Sequence, residues 1–181
     1  MKQIIADIRE SAKQIKQVRS LTGGAMFIAL NLILNFWRIV ISSFLEISFA
    51  FLALAAAGAL YGPVMAGIIG AIADILGFII SPSGTGFFPG FTLNDFVAGF
   101  IFGMFFYKKK ASFKRTICAV AVYTVAIEII LTPIWLNIMY GSVLMSSARI
   151  IKAAVCFPVN TVLLYTVLKT VERIGRHSRV I

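Results

Sequence analysis

Lysine and arginine are confined almost entirely to three short clusters in this chain, and the sequence between the clusters is strongly apolar. Fourteen of the 17 basic residues fall in the ranges 2–19, 108–115 and 169–179. In a protein that crosses a membrane several times, loops rich in lysine and arginine stay on the cytoplasmic side. The clusters therefore predict three cytoplasmic segments and place both termini on the inner side of the cell membrane.

The overall composition requires the lipid bilayer as a solvent. Hydrophobic residues make up 60% of the 181 residues and charged residues 13%, and the mean hydropathy is +0.94. A soluble domain of this size cannot bury so much apolar surface. The formal net charge of +10 would suit binding to nucleic acid. Because the basic residues are confined to the membrane flanks, however, attraction to anionic lipid head groups is the better explanation. We expect no nucleic-acid partner.

The cysteines and the histidine exclude a disulfide framework and a metal centre. Cys118 and Cys156 both lie within apolar runs, without the short spacing that metal-binding or redox pairs show. They are expected to be small core residues. The one histidine, His177, lies in the basic C-terminal segment, so no set of metal ligands is expected.

The spacing of the apolar residues divides the chain into three parts. Near the N-terminus, isoleucines recur among charged residues at helical spacing, which indicates an amphipathic helix lying on the cytoplasmic leaflet. We therefore predict a cytoplasmic amphipathic helix over 1–20, a transmembrane domain over 21–168 and a basic cytoplasmic tail over 169–181.

Each interval between clusters must contain an even number of membrane crossings, because the clusters share one side. The interval 116–168 has 53 residues and fits two helices at about 20 residues each. The interval 20–107 has 88 residues and fits four. The prediction is an all-α integral membrane protein with six transmembrane helices, over 21–40, 44–61, 63–80, 91–107, 116–137 and 143–168.

Charged residues within these spans all fall in the half nearer the outer face, which predicts a polar cavity that opens outward. They are Arg38, Glu46, Asp74, Asp95, Glu128, Arg149 and Lys152. Arg149 and Lys152 are three residues apart, so they share one helix face and can present two cations to an anionic ligand. Alternatively, Arg149 can reach lipid phosphates or pair with Glu128. Because the group contains three cations and four carboxylates, a cationic ligand stays open.

Aromatic residues occupy the same outer region, beside one long irregular segment at 81–90. Phe87 and Phe88 lie next to the glycines of this segment and can cover a flat ligand by stacking. Trp135, which follows the helix-breaking Pro133, can form an opposing wall. Tyr140 is a further candidate contact, although a place in the interfacial aromatic belt explains it at least as well.

Small residues spaced four apart allow helix backbones to approach closely in lipid. Gly99 and Gly103 are expected to face the inside of the bundle. Ala25 and Ala29 lie just inside the cytoplasmic surface, where they suit the docking of another membrane subunit.

The chain has neither a P-loop for ATP hydrolysis nor a catalytic motif. These features indicate a non-enzymatic binding subunit of a larger transporter.

Several parts of the sequence resemble the substrate-binding S components of energy-coupling factor (ECF) vitamin transporters. The six-helix layout, the chain length and the pair Ala25-x3-Ala29 resemble the family in general. Six further features of the chain resemble the folate-specific members of this family. They are GFFPGFTL at 86–93, GFIFG at 99–103, TPIWL at 132–136, YG at 140–141, RIIK at 149–152 and Pro158.

The resemblance implies a high-affinity folate-binding subunit that associates with a transmembrane coupling subunit and two cytoplasmic ATPases. The S component is expected to reorient in the membrane and so deliver its ligand to the cytoplasmic side. The partner ATPases would use the ATP, and this chain would carry no cofactor of its own.

Folate chemistry would suit the candidate residues. The glutamate tail is a dianion, which the two cations of the sixth helix would meet with charge-assisted hydrogen bonds. The pterin and benzoyl rings are flat and would stack on the aromatic residues, while Asn94 or Asp95 would hydrogen-bond the pterin edge. The candidate substrate contacts are Arg38, Phe87, Phe88, Asn94, Trp135, Tyr140, Arg149 and Lys152.

Other functions stay open on the sequence alone. The nearest alternative is an S component for thiamine or pantothenate, and thiamine would require Glu46, Asp74 or Glu128 to face the cavity. A stand-alone proton-coupled secondary transporter would use Asp74 or Glu128 as a proton relay. A purely structural membrane subunit would bind no small ligand.

Overall fold

The computed structural model describes residues 2–37, 39–42, 45–81, 86–141 and 147–177. Over these ranges the chain is almost entirely helical, as the sequence predicts. The described elements are α1 (Lys2–Gln14), α2 (Val18–Phe36), β1 (Ile39–Ser42), β2 (Leu45–Ile47), α3 (Ala50–Tyr61), α4 (Pro63–Ile80), α5 (Pro89–Phe106), α6 (Phe113–Tyr123), a π-helical segment (Thr124–Leu131), α7 (Thr132–Tyr140) and α8 (Ser147–His177).

Five helical segments within the described ranges are long and apolar enough to cross a membrane. A further helix, α3, is apolar but shorter. The helix α8 continues through much of the expected C-terminal tail, to His177. The five segments are Val18–Phe36, Pro63–Ile80, Pro89–Phe106, Phe113–Met139 and Val155–Arg173.

The junction between the first two predicted spans differs from the prediction. The helix α2 ends at Phe36 rather than at residue 40, and α3 begins at Ala50 rather than at residue 44. Between them, β1 and β2 form an antiparallel hairpin. The β-branched run at 39–41 favours a strand over a helix. The hydroxyl of Ser48 accepts a hydrogen bond from the Ala50 N–H at 3.2 Å, which satisfies the first N–H group of α3.

Glycines bring α4 and α5 into close contact at the centre of the bundle. A Cβ atom on Gly99 would collide with the carbonyl oxygen of Ala66, and a Cβ atom on Gly103 would collide with the backbone of Pro63. Both glycines are buried, so the prediction that they face the inside of the bundle is confirmed. Because no side chain separates the two backbones, α4 and α5 pack as a closely fitted pair.

The fifth predicted span is one continuous helix with a wider turn in its middle. The helices α6 and α7 are joined by the π-helical segment without a break, and the N–H of Thr132 donates to the carbonyl of Ile127, five residues earlier. Pro133 has no N–H group and interrupts the regular α-helical ladder at this point. The helix α7 ends at Tyr140 and is followed by Gly141, whose φ of 59° lies in the left-handed region that glycine adopts at helix ends.

The amphipathic helix α1 packs against the turn between α3 and α4. The hydroxyl of Ser11 is fully buried and donates to the carbonyl oxygen of Tyr61 at 2.8 Å. Ser11 Oγ also accepts hydrogen bonds from the N–H groups of Val64 and Met65, at 3.1 and 3.2 Å. The first turn of a helix leaves such N–H groups without partners, and Gly62 before α4 has no side chain to cap them. Ser11 therefore caps α4 from another helix.

We expect Ser11→Ala to lower the stability of the chain, because the substitution leaves two N–H groups of α4 unpaired in a buried place. A lost buried partner costs about 1–3 kcal/mol, and about 2–4 °C of unfolding temperature corresponds to each kcal/mol in a chain of this size. Thermal unfolding in detergent measures the effect. The matched control is Ser112→Ala, because Ser112 precedes α6 without capping it through its side chain. Equal unfolding temperatures for the two variants would contradict the capping role.

The three basic clusters lie at the same end of the molecule. Lys108 Nζ lies 2.6 Å from Glu10 Oε1, which joins the first cluster to the second, and this hydrogen bond lowers the pKa of the Glu10 carboxyl. The N–H of Ala111 donates to Glu172 Oε2 at 3.2 Å, which joins the second cluster to the third. An exposed ion pair such as Lys108–Glu10 contributes little to stability. The two contacts are informative for their geometry, because they show that the three clusters lie side by side.

Candidate ligand-binding site

The indole of Trp135 is held between α5 and α7 by a short chain of hydrogen bonds. Its Nε1 donates to Asn94 Oδ1 at 3.0 Å, and Asn94 Nδ2 donates to Thr132 Oγ1 at 3.2 Å. Thr132 and Trp135 are three residues apart and therefore lie on one face of the helix. Asn94 is only 5% exposed. The structure thus brings together two residues that the sequence nominated separately, Asn94 and Trp135.

Phe88 completes the aromatic surface around this indole. Its ring centroid lies 5.8 Å from that of Trp135, with a tilt of 57° between the rings, and 5.9 Å from that of Phe91 in an edge-to-face arrangement. Such spacings are typical of stabilising aromatic pairs. Gly90, in the first turn of α5, leaves room for the group, because a Cβ atom there would lie 2.6 Å from Trp135 Cδ2.

Phe87 lies on a different side from Phe88. Its ring packs on Phe78 of α4, with 5.4 Å between the centroids, and 46% of the residue is exposed. Phe88 has extended backbone angles, and successive side chains of an extended segment point in opposite directions. A flat ligand would therefore meet the two phenylalanines from different directions.

Four candidate contacts are only partly covered by the structure or lie outside it. Arg38 is outside the described residues, and so are the side chains of Tyr140, Arg149 and Lys152. The backbone of Arg149 and Lys152 belongs to the first two turns of α8, and Tyr140 is the last residue of α7. The roles proposed for these side chains stay predictions.

A second polar contact joins α4 and α5 near the aromatic group. The hydroxyl of Thr92 donates to Asp74 Oδ2 at 2.6 Å, so the carboxylate has a partner within the bundle. No sequence pattern predicts a role for Thr92, Gly90 or Thr132 individually. The only sequence signal for them was their position inside the segments GFFPGFTL and TPIWL. The sequence alone does not show which residue of another helix a threonine or a glycine contacts.

The two alanines proposed for docking lie on the outside of the bundle. Ala25 and Ala29 are both exposed on α2. The opposite face of α2 packs inward, since a Cβ atom on Gly24 would lie 2.8 Å from Met65 Cε and one on Gly23 would collide with Tyr61. The helix therefore has one face used for packing and another, which includes Ala25 and Ala29, that the described part of this chain leaves uncovered.

The described helices thus form an apolar bundle that includes segments of membrane-spanning length, with an aromatic group and a buried amide between two of its helices. The chain belongs to the family of ECF transporter substrate-specific components, whose family model matches residues 19–171. The resemblance noted in the sequence is thereby confirmed, and the chain is a transporter component rather than an enzyme.

The similar proteins give a finer description. The chain is 36% identical over 168 residues to the folate transporter FolT of Clostridium novyi (strain NT), which covers 92% of this chain and 97% of that protein. It is 31% identical over 153 residues to the folate transporter FolT of Leuconostoc mesenteroides subsp. mesenteroides, covering 80% and 81% respectively. Among solved structures, a crystal structure of FolT bound with folic acid matches with a TM-score of 0.78 and 39% identity, over 84% of this chain and 94% of that one.

Proposed function

We propose that this chain is the high-affinity folate-binding subunit of an ATP-driven ECF importer. The observation that carries the proposal is the match to the FolT structure that contains folic acid, at 39% identity and a TM-score of 0.78. Two curated folate transporters at 36% and 31% identity support the same substrate. The anchored indole of Trp135 beside Phe88 adds a surface on which a flat pterin or benzoyl ring would stack.

The proposed topology has six transmembrane segments with both termini in the cytoplasm. The contacts Glu10–Lys108 and Ala111–Glu172 support it, because they bring all three basic clusters to one end of the bundle. Five segments have the length of a span. The sixth is α3, whose 12 residues extend about 18 Å at 1.5 Å per residue. Its outer end continues into the hairpin, so the two together would reach the far side of the bilayer.

The proposed cavity opens to the outer side, between α5, α7 and the start of α8. Arg149 and Lys152 would meet the glutamate carboxylates there, with the arginine suited to a two-point contact. Phe88 and Trp135 would contact the rings from one direction and Phe87 from another. The remaining proposed contacts are Arg38 and Tyr140, and Asn94 belongs to the site through its hydrogen bond to Trp135.

The exposed face of α2 is the proposed contact with a transmembrane coupling subunit. Ala25 and Ala29 would let a partner helix approach closely. Two cytoplasmic ATPase subunits would then drive reorientation of the loaded chain in the cell membrane. This chain would need no cofactor for its own part of the cycle.

The test is a calorimetric titration of the detergent-purified chain with folate, with thiamine and pantothenate as parallel ligands. We expect saturable binding of one folate per chain and no saturable heat from the other two vitamins. Saturation by another vitamin alone would contradict the folate assignment and leave the family intact. Absence of binding by all three, together with proton-driven transport by the lone chain in liposomes, would favour a secondary transporter instead.

A further inference from the structure

We infer that Asn94 and Gly90 are positioning residues: they hold the indole of Trp135 in place for the ligand, and Asn94 acts through this indole rather than by touching the ligand. The inference rests on the proposed folate-binding function. In it, Trp135 contacts the ligand, and Asn94 and Gly90 position Trp135. It replaces a direct contact between Asn94 and the pterin edge with an indirect one.

The hydrogen bonds fix the orientation of the Asn94 amide. An indole N–H can only donate, so Asn94 must turn its Oδ1 toward Trp135, at 3.0 Å. Its Nδ2 then faces Thr132 Oγ1 at 3.2 Å, where the hydroxyl accepts. Both ends of the amide are therefore engaged within the protein. With 5% of the residue exposed, little of Asn94 is left for a ligand to contact.

The first turn of α5 is shaped to receive the indole. Gly90 is buried, and a Cβ atom there would lie 2.6 Å from Trp135 Cδ2 and would also collide with the Phe88 ring. Any larger residue would push both rings away from α5. The absence of a side chain at Gly90 and the acceptor on Asn94 thus act on the same indole, one by leaving space and the other by fixing its rotation.

This arrangement has a consequence for affinity. A tryptophan that is already held in its binding rotamer loses little side-chain freedom when a ligand stacks on it, and such preorganisation increases affinity without adding a contact. Removing the Asn94 acceptor should therefore weaken folate binding when Trp135 is present. It should have no further effect when Trp135 has been replaced by a residue without an N–H group.

A double-mutant cycle separates an indirect role from a direct one. The dissociation constant for folate would be measured by calorimetry for the unaltered chain, Asn94→Ala, Trp135→Phe and the double variant. We expect each single substitution to weaken binding about tenfold, and the double variant to bind about as weakly as Trp135→Phe alone. Losses that multiply to about a hundredfold in the double variant would overturn the inference, because Asn94 would then contact the ligand independently.

A second measurement follows the indole itself, without any ligand. The chain has two tryptophans, so Trp37→Phe leaves Trp135 as the single fluorescent indole. In that background we expect Asn94→Ala and Gly90→Ala to lower the fluorescence anisotropy of Trp135 relative to the parent. The matched control is Gly77→Ala on α4, because a Cβ atom there meets its nearest neighbour, Leu32 Cδ2, at an ordinary 3.4 Å. Unchanged anisotropy in both test variants would overturn the inference.

Gly90→Ala also guards against a failure of Asn94→Ala to fold, since it removes no hydrogen bond. It should weaken folate binding at least tenfold, whereas Gly77→Ala should stay within about twofold of the parent. If the unaltered chain failed to bind folate, the proposed function would be wrong. The anisotropy comparison would still decide whether Asn94 and Gly90 hold the indole.

Discussion

A chain that carries Ala25→Trp and Ala29→Trp should bind folate as tightly as the unaltered chain and transport none of it. Both alanines are exposed on α2, and neither is near the aromatic group of Trp135 and Phe88. Two indoles on this face would prevent a partner helix from approaching at the close distance that small residues allow. Uptake of labelled folate into liposomes containing the assembled importer measures transport, and calorimetry on the isolated chain measures binding.

The matched control for this experiment is a second pair of exposed residues with the same spacing. Val162 and Thr166 on α8 are four residues apart, both are exposed, and both lie more than two turns from Lys152. Val162→Trp with Thr166→Trp adds the same two indoles to another outer part of the bundle, and transport should be retained. Full transport by the Ala25 and Ala29 variant would instead place the coupling face elsewhere.

The second large effect is expected at the anionic end of the ligand. Arg149→Ala should weaken folate binding between about tenfold and a hundredfold, since a hydrogen bond to a charged group contributes about 1.5–3 kcal/mol and 1.4 kcal/mol corresponds to a factor of ten. Lys152→Ala should weaken it less, because lysine lacks the two-point geometry of a guanidinium. Calorimetric titration provides both dissociation constants.

A shortened ligand provides the control for the Arg149 experiment. Pteroate has the two ring systems of folate but lacks the glutamate, so it carries one carboxylate, directly on the benzoyl ring, in place of the two carboxylates of the tail. Arg149→Ala should therefore weaken the binding of pteroate much less than the binding of folate. An equal loss with both ligands would show that the substitution damages the fold or the ring-binding part of the site, and would contradict the assignment of Arg149 to the tail.

The sequence predicted those features that depend on local composition. The apolar runs predicted the membrane helices, and the spacing of Gly99 and Gly103 predicted an interior helix contact, because both patterns are contained within one segment. The strand β1 (Ile39–Ser42) was missed. In an apolar region a β-branched run and a helical run look alike, and the hairpin depends on a pairing partner that the pattern does not reveal.

The sequence predicted individual residues of the site but not the hydrogen bonds between them. Trp135 and Asn94 were both nominated, yet their hydrogen bond joins residues that are 41 positions apart. Thr132 was not nominated at all, since a threonine before a proline is ordinary in sequence. Contacts between helices are decided by the rotation of each helix in the bundle. Here the π-helical segment contributes to that rotation, and the sequence shows only the proline beside it.

The cap that Ser11 places on α4 also imposes an order of events during synthesis. Its partners Tyr61 and Val64 follow Ser11 by 50 and 53 positions, which corresponds to roughly 3–10 seconds at translation rates of about 5–20 residues per second. During that interval α1 leaves the ribosome without its polar partners. The cap can close only once α2, α3 and the turn before α4 have been made. The N-terminal helix is thus fixed in place only after α2 and α3 have been made, and its salt bridge to Lys108 forms later still, after α5.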